Sequence, residues 1–246
     1  MEGWIKFKNL FFPIIKDKFI TELTYNKKKI INFILENNEN INHVITKDNN
    51  HTREDDFLIK IYECFMEILL SVSTLKDIEI YINSFPFTNR KLNKIRFLRY
   101  NIENYFNEVY LLKERLLSFL RILQKEYRKD KEYNAIINKL YPLIKTLSPL
   151  TNARGEHIHK NRLIDIHLLR LELFEGLIIS PPIETEHKNN NIIQYYNLVY
   201  NETKKKWKKQ ILKFNELLSM ILDVYSNEII KILFNKDTGK LNFPQR

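Results

Sequence analysis

The sequence predicts an all-α protein, a helical bundle built from long amphipathic helices. Only 4 of the 246 residues are glycine and 7 are proline, which is few for a sheet protein with many tight turns. No stretch of useful length alternates apolar and polar residues, the pattern of a half-buried strand. Apolar residues recur instead at steps of three and four, the period of one helix face.

The clearest helix is predicted in the middle of the chain. Its apolar residues step by three and four without a miss along roughly eight turns of helix. They are Ile95, Leu98, Ile102, Tyr105, Val109, Leu112, Leu116, Phe119 and Leu123. The tyrosine and phenylalanine residues in this stripe favour a globular bundle over a two-stranded coiled coil.

Three helices are predicted before this one. Pro13 is expected to open the first, because proline suits the first turn of a helix, and that helix is expected to continue to about residue 35. Thr52, with Asp55 three residues later, is a candidate cap for the second. A shorter third helix is expected from Thr74 to about residue 83.

Three further helices are predicted after the central one. The first covers about 132–147, and Pro142 is expected to kink or split it. The next is expected to begin at the polar segment after Thr151 and to end at Gly176, a residue type common just beyond helix ends. A last long helix follows, and the tail 237–246 is expected to be frayed.

These elements divide the chain into four parts, which we expect to form one globular unit. They are an N-terminal helical region (1–90), a helical core (91–177), a connector (178–191) and a C-terminal long helix with its tail (192–246). The connector contains Pro181 and Pro182 followed by a polar stretch, so it is the strongest break in the helical pattern.

Charge and cysteine content indicate the partner and the compartment. A net charge of +10 and a pI near 9.4 favour a polyanionic partner, nucleic acid before membrane. The single cysteine, Cys64, excludes an intrachain disulfide and suits a reducing compartment. No stretch approaches the ~20 apolar residues of a membrane span. We therefore expect a cytoplasmic protein that does not contact membranes.

The segment 151–162 concentrates the side chains that can do chemistry, directly before a strongly apolar run. It contains Arg154, His157 and His159. Histidine is well suited near neutral pH to remove a proton from a ribose 2′-hydroxyl or to protonate a leaving oxygen. Arginine stays charged and can hold a phosphate with two hydrogen bonds. This segment is the predicted site.

The spacing of Arg154 and His159, with four residues between them, resembles the signature of the HEPN (higher eukaryotes and prokaryotes nucleotide-binding) superfamily. These helical bundles include many metal-independent ribonucleases of bacterial defence and toxin–antitoxin systems. The resemblance covers residues 95–176, including the aromatic and acidic stretch 100–106 of the central helix.

The resemblance to this superfamily implies an activity and a set of partners. It implies RNA cleavage without a metal or other cofactor, leaving a 2′,3′-cyclic phosphate and a 5′-hydroxyl. Arg154 would bind the phosphate and His159 would act as acid and base. The expected substrate is RNA, with transfer RNA as one candidate. Family members commonly pair two motifs across a homodimer, and an antitoxin or another defence-system protein is a further implied partner.

Two features leave the acid–base residue open. The position after the arginine is often small and polar in the family, whereas here it is Gly155. On a regular helix at about 100° per residue, Arg154 lies ~60° from His157 but ~140° from His159, so helical geometry favours His157. Glu156 either orients a histidine, positions the substrate, or is an exposed first-turn glutamate favoured by the helix dipole.

Basic residues near the candidate site and in the last helix are predicted to contact RNA. They are Lys160, Arg162, Lys204, Lys205 and Lys208. The last three belong to the densest basic run, residues 204–209, where lysines can neutralise phosphates. Trp207 in that run either stacks on a base or, because it falls on the apolar stripe of its helix, is buried and leaves the lysines as a solvated face.

Other functions have weaker support in the sequence. His157 and His159 would face one metal ion together only on an extended strand, and no third ligand is evident, so no metal site is predicted. The main alternative is a non-catalytic helical binding or regulatory protein, in which Arg154 and His159 serve packing or binding. A DNA-binding helical protein is a third option, but no compact helix–turn–helix with its glycine turn is visible.

Overall fold

A computed structural model describes residues 2–16, 52–84, 93–152, 165–179 and 189–244. About 88% of this part of the chain is helical and it contains no strand, which confirms the all-α prediction. The helices are α1 (2–16), α2 (Arg53–Asn83), α3 (Lys94–Glu126), α4 (Lys131–Lys145), α5 (148–152), α6 (Ile166–Ile179) and α7 (Asn189–Leu233). No helix within these ranges combines the length and apolar character needed to cross a membrane.

Helix α3 is the centre of the bundle and packs against α2, α4, α6 and α7. Helix α2 runs antiparallel to α3, since Ser71 of α2 donates to Glu108 of α3 at 2.6 Å and earlier residues of α2 meet later residues of α3. Helix α7 runs parallel to α3, since the Tyr105 hydroxyl donates to Asn215 at 2.7 Å and, later in both helices, the Tyr225 hydroxyl donates to the carbonyl of Leu116 at 3.0 Å.

The apolar stripe predicted for α3 forms the middle of the core. All nine of its residues are at most 1% exposed. Asn93 caps the helix, because its Oδ1 accepts from the amides of Ile95 and Arg96 at 2.9 Å each. The core continues without interruption from Trp4 in α1 to Phe234 after α7, so residues from both ends of the described chain share it.

Helix α1 begins well before the position predicted for it. Pro13 lies inside the helix 2–16 and does not open it, so that prediction is wrong; the predicted continuation to residue 35 lies outside the described residues. Trp4, Phe7 and Phe11 are buried on one side of α1 and pack their rings against Phe65 of α2. These aromatic contacts hold the part of α1 before the proline, and the buried Ile15 holds the part after it.

The predicted start of α2 is confirmed, but the predicted break inside it is wrong. The hydroxyl of Thr52 accepts from the amide of Asp55 at 3.2 Å, and the Asp55 carboxylate accepts from the Thr52 amide at 3.0 Å. No new helix begins at Thr74, because α2 is continuous to Asn83. The buried residues Val72 and Leu75 extend the same apolar face across that position.

Helices α4 and α6 pass through residues that were expected to disturb them. Pro142 lies within α4 without splitting it. Gly176 was predicted to end its helix, yet α6 continues to Ile179, so that prediction is wrong. The apolar sequence carries the helix past the glycine. Helix α7 then starts at Asn189, so the predicted connector 178–191 overlaps the ends of both helices.

The C-terminal tail is folded through residue 244, although it was expected to be frayed. Phe234 and Leu241 form an isolated antiparallel bridge. The turn between them contains Gly239 at φ +65°, a conformation that favours glycine, and the Gly239 amide donates to the Asn235 carbonyl at 2.8 Å. The amide of Asn242 donates to the carbonyl of Leu233 at 2.8 Å, which returns the tail to the end of α7.

Candidate nucleic-acid interface

Of the predicted site, residues 151–162, only Thr151 and Asn152 are described; the rest lies in the stretch 153–164 between α5 and α6, which is outside the described residues and is called the predicted catalytic segment. This segment contains Arg154, Gly155, Glu156, His157, His159, Lys160 and Arg162. The residues on both sides of it are described, and they show which helices adjoin its two ends.

The preceding flank is α5, whose described residues 148–152 lie beside the middle of α3. Thr151 is 6% exposed, and its hydroxyl donates to the carbonyl of Ser148 at 3.1 Å. The ammonium group of Lys113 on α3 lies 3.4 Å from the hydroxyls of both Ser148 and Thr151. The chain therefore enters the predicted catalytic segment beside the middle of the central helix.

The following flank is Asp165, whose carboxylate has two roles. One oxygen accepts from the amides of His167 and Leu168 at 2.9 and 3.1 Å, which caps α6. The other lies 3.2 Å from the ammonium group of Lys206 on α7. This side chain is only 13% exposed. The end of the predicted catalytic segment is thus joined to the basic run of α7.

The cap at Asp165 corrects the predicted start of this helix. The start of this helix was predicted near Thr151, whereas α6 begins at Ile166. An aspartate directly before an apolar run is a helix-start signal, and it was the signal that was missed. Because Arg154, His157 and His159 precede the cap, α6 does not supply the regular helical geometry that was used to compare the two histidines.

The basic run of α7 presents lysines on one side and a tryptophan to the core. Trp207 is 6% exposed and meets the ring of Phe106 edge-on, with 6.1 Å between ring centroids. The burial of Trp207 is therefore confirmed, and the proposal that it stacks on a base is wrong. Lys205, Lys208 and Lys209 are exposed and Lys204 is half-buried. Within the described chain these four lysines form no ion pair, so their charge faces solvent.

A second set of contacts fixes α6 against α3 and α7. Arg99 of α3 is largely buried and pairs with Glu172 of α6 at 2.9 Å. Asn93 donates a short hydrogen bond to Glu175, one turn further along α6. Burial, followed by the charge of Glu175, raises the pKa of Tyr196 on α7 to about 12. Sequence periodicity gave no sign of these contacts, because each joins residues far apart in the chain.

The described residues show no metal site, and the chain resembles no known protein detectably. In the parts of the chain that the structure describes, no group of three or more His, Cys, Asp or Glu side chains is arranged to hold a metal ion. No protein-family model, curated protein or solved structure matches this chain. Its function is therefore inferred from the residue types of the predicted catalytic segment and from the contacts of the described residues on either side of it.

Proposed function

We propose that this protein is a metal-independent HEPN-type endoribonuclease that cleaves RNA by acid–base chemistry. The observation that carries the proposal is the ion pair between Lys206 and Asp165. It joins the densest basic run of the chain to the residue that directly follows the segment with Arg154 and His159. RNA cleavage without a metal uses a histidine to move protons and cations to hold the phosphates.

The proposed reaction is a transfer of the phosphodiester to the neighbouring 2′-oxygen. His159, or His157 in its place, removes the proton from the ribose 2′-hydroxyl, and that oxygen attacks the adjacent phosphorus. The bond from phosphorus to the 5′-oxygen breaks, and that oxygen takes up the proton that the histidine had removed. The products are a 2′,3′-cyclic phosphate and a 5′-hydroxyl. Arg154 stabilises the negative charge that develops on the phosphoryl oxygens.

The lysines of α7 would hold the substrate. Lys204, Lys205 and Lys208 extend from the same stretch of helix as Lys206, whose own charge is balanced by Asp165. Cations whose charge is not balanced by a nearby carboxylate attract a polyanion most strongly within about 8 Å at physiological salt. Together with Lys160 and Arg162 of the predicted catalytic segment, they would bind the phosphates on either side of the cleaved bond.

The outward side of α6 supports the homodimer that the HEPN resemblance implies. Helix α6 buries only Leu168 and Leu171. It leaves Ile166, Leu169, Leu173 and Leu177, which share the opposite side of the helix, between 38% and 70% exposed. Such side chains amount to an apolar surface on the order of 400 Å², comparable to the largest patch on a typical monomer and often functional. Because α6 follows the predicted catalytic segment directly, a second copy bound here would bring two such segments close together.

The decisive experiment compares purified wild type with single alanine variants at Arg154, His157 and His159. Transfer RNA and total RNA are incubated with each protein in EDTA, and the product ends are identified. We expect cleavage to a cyclic phosphate by wild type and loss of at least about a hundredfold in rate when the acid–base histidine is removed. His167→Ala is the matched control, since His167 lies beyond the Asp165 cap.

Each result decides between the candidate functions. Loss with His157→Ala but not His159→Ala keeps the reaction and reassigns the residue. Binding of RNA by folded wild type without cleavage supports a non-catalytic binding or regulatory protein, such as a component of a defence or toxin–antitoxin system. Cleavage that persists in all three variants, or that needs a divalent ion, contradicts the proposed mechanism.

A further inference from the structure

A cavity of about 410 Å³ lies at the end of α3, where the turn into α4 meets the C-terminal tail. Its lining consists of Tyr127, Lys129, Asp130, Tyr133, Leu241, Asn242 and Phe243. This volume is within the range of small-molecule sites. Tyr127 comes fourteen residues after Lys113, or about 21 Å along a helix, so the cavity is separate from the flanks of the predicted catalytic segment.

The walls of the cavity are held by hydrogen bonds between the α3–α4 turn and the tail. The Tyr127 hydroxyl donates a short hydrogen bond to the carbonyl of Asn242. The side-chain amide of Asn242 donates to the Tyr133 hydroxyl at 3.1 Å and to the carbonyl of Ile232 at 3.2 Å. The rings of Tyr127 and Tyr133 meet edge-on, 5.3 Å apart. The shape of the cavity is therefore fixed before any ligand enters.

These bonds leave a defined set of polar groups for a ligand. Both amide hydrogens of Asn242 are used, while its Oδ1 has no partner among the described residues. One oxygen of Asp130 accepts from the Tyr133 amide at 3.0 Å, and the other is unoccupied within the described chain. The Tyr133 hydroxyl accepts from Asn242 and keeps its hydrogen to donate. The cavity thus offers two acceptors and one donor.

The lining contains a hydroxyl donor, Tyr133, and a cation, Lys129. These two groups suit a ligand that has a polar edge and an anionic end. Burial, followed by the charges of Asp130 and Glu132, raises the pKa of Tyr133, so its hydroxyl remains a donor at neutral pH. Lys129 is exposed at the rim and has no ion-pair partner in the described part of the chain. The rings of Tyr133 and Phe243 supply flat surfaces.

We propose that this cavity binds a mononucleotide whose base carries an exocyclic amine next to an accepting ring nitrogen, that is, adenine or cytosine. The two amine hydrogens match the oxygens of Asp130 and Asn242, and the ring nitrogen accepts from Tyr133. The aromatic rings stack on the base. Lys129 pairs with the phosphate. The proposal does not depend on the ribonuclease activity.

Calorimetric titration of the full chain with AMP, CMP, UMP and adenosine tests this site. We expect AMP or CMP to bind at least tenfold more tightly than UMP. Tyr133→Phe and Asp130→Asn should each weaken binding about five- to tenfold, the effect of one lost hydrogen bond. Asparagine still caps α4, so Asp130→Asn changes the charge and preserves the helix start. Lys129→Gln should weaken AMP more than adenosine.

Arg128→Gln is the matched control, because Arg128 is exposed on the same turn but does not line the cavity. Its AMP affinity should stay within about twofold of wild type. Equal binding of UMP and AMP, no binding of any mononucleotide at millimolar concentration, or equal effects of Arg128→Gln and Lys129→Gln would overturn the proposal. The last comparison remains decisive if Tyr133→Phe or Asp130→Asn disturbs folding.

Discussion

Lys206 and Asp165 form an ion pair, 3.2 Å from Nζ to Oδ2, that joins the basic run of α7 to the first turn of α6. The other oxygen of the same carboxylate caps α6. Together with the charge interaction of Glu175 with Tyr196 further along α6, this contact shows that α6 lies antiparallel to α7. The effects of the cap and the ion pair on stability can be measured separately, because asparagine caps a helix without a charge.

Asp165→Ala should lower the free energy of unfolding by about 1 to 2 kcal/mol, because it removes both the cap and the ion pair. Asp165→Asn should lower it by no more than about 1 kcal/mol, since the half-exposed Lys206 is screened by solvent. Urea unfolding followed by circular dichroism measures both changes, with Lys206→Gln as the control for the charge alone. Equal losses in the alanine and asparagine variants would mean that the cap contributes little.

Gly3 allows α1 to approach α7 closely. A Cβ at this position would lie 2.6 Å from the Ser226 hydroxyl and 2.8 Å from the backbone oxygen of Asp223. Gly3→Ala should therefore lower the melting temperature, through a loss of about 1 to 3 kcal/mol of stability. Gly176 is the matched control, because a Cβ there meets nothing within 4 Å. Gly176→Ala should be neutral or stabilising by up to about 1 kcal/mol, and a harmless Gly3→Ala would contradict the close approach.

The long central helix could be predicted from the sequence because its apolar stripe keeps one period from Ile95 to Leu123. Local signals also identified the Thr52 cap and the burial of Trp207. The start of α1 before Pro13 could not be predicted from the proline, since its first residues are held by packing against Phe65 of another helix. Tertiary contacts of this kind outweigh the local preferences of a single proline or glycine.

For the candidate site, the sequence could predict the residue types but not their surroundings. Arg154 and His159 stand out by their chemistry. Which helices adjoin the ends of their segment depends on contacts between residues far apart in the chain. Lys206 and Asp165 are 41 positions apart, and no periodic pattern links the two. The Asp165 cap was the one local signal available, and it was overlooked because the polar segment before it already resembled a helix start.

Cys64 should react slowly with thiol reagents at neutral pH. Burial, followed by the charges of Glu63 and Glu67, raises the pKa of its thiol from 9.0 to about 11. The folded state therefore favours the protonated thiol, and the resulting contribution to stability is complete below about pH 9 and is lost as pH rises towards 11. Reaction with a chromogenic disulfide between pH 7 and 10 measures the thiolate, without interference from another cysteine.

The same reaction in guanidinium chloride gives the control rate for the unfolded chain. We expect the folded protein at pH 8 to react at least about tenfold more slowly than the unfolded chain, because two pKa units correspond to about a hundredfold less thiolate. Equal rates, with an apparent pKa near 9 in both states, would show that the environment of Cys64 does not disfavour its charge.

A charge placed on the outer side of α6 should prevent self-association. Leu173 is 70% exposed, so Leu173→Glu should leave the monomer folded while disrupting an apolar interface between two copies. Sedimentation velocity should show a dimer for wild type and a monomer for the variant. Leu70→Glu is the matched control, since Leu70 on α2 is 54% exposed and lies on a different helix. A monomeric wild type, or an unchanged dimer in Leu173→Glu, would contradict the proposed interface.

Replacing the lysines of α7 should weaken RNA binding through charge alone. In a quadruple variant, Lys204, Lys205, Lys208 and Lys209 are changed to glutamine. The slope of the logarithm of the binding constant against the logarithm of salt concentration should become shallower by up to about 3, since each phosphate contact on a single strand contributes roughly 0.7. Filter binding of a short single-stranded RNA at several salt concentrations measures this slope.

The control is a second quadruple glutamine variant at exposed lysines on α2, α3 and α4, with the same change in net charge. These residues are Lys76, Lys125, Lys139 and Lys145. If the α7 lysines form the RNA-binding surface, the control should keep most of the salt dependence, because only long-range attraction changes. Similar slopes for the two variants would indicate that RNA responds to the overall charge of +10 and not to the basic run beside Asp165.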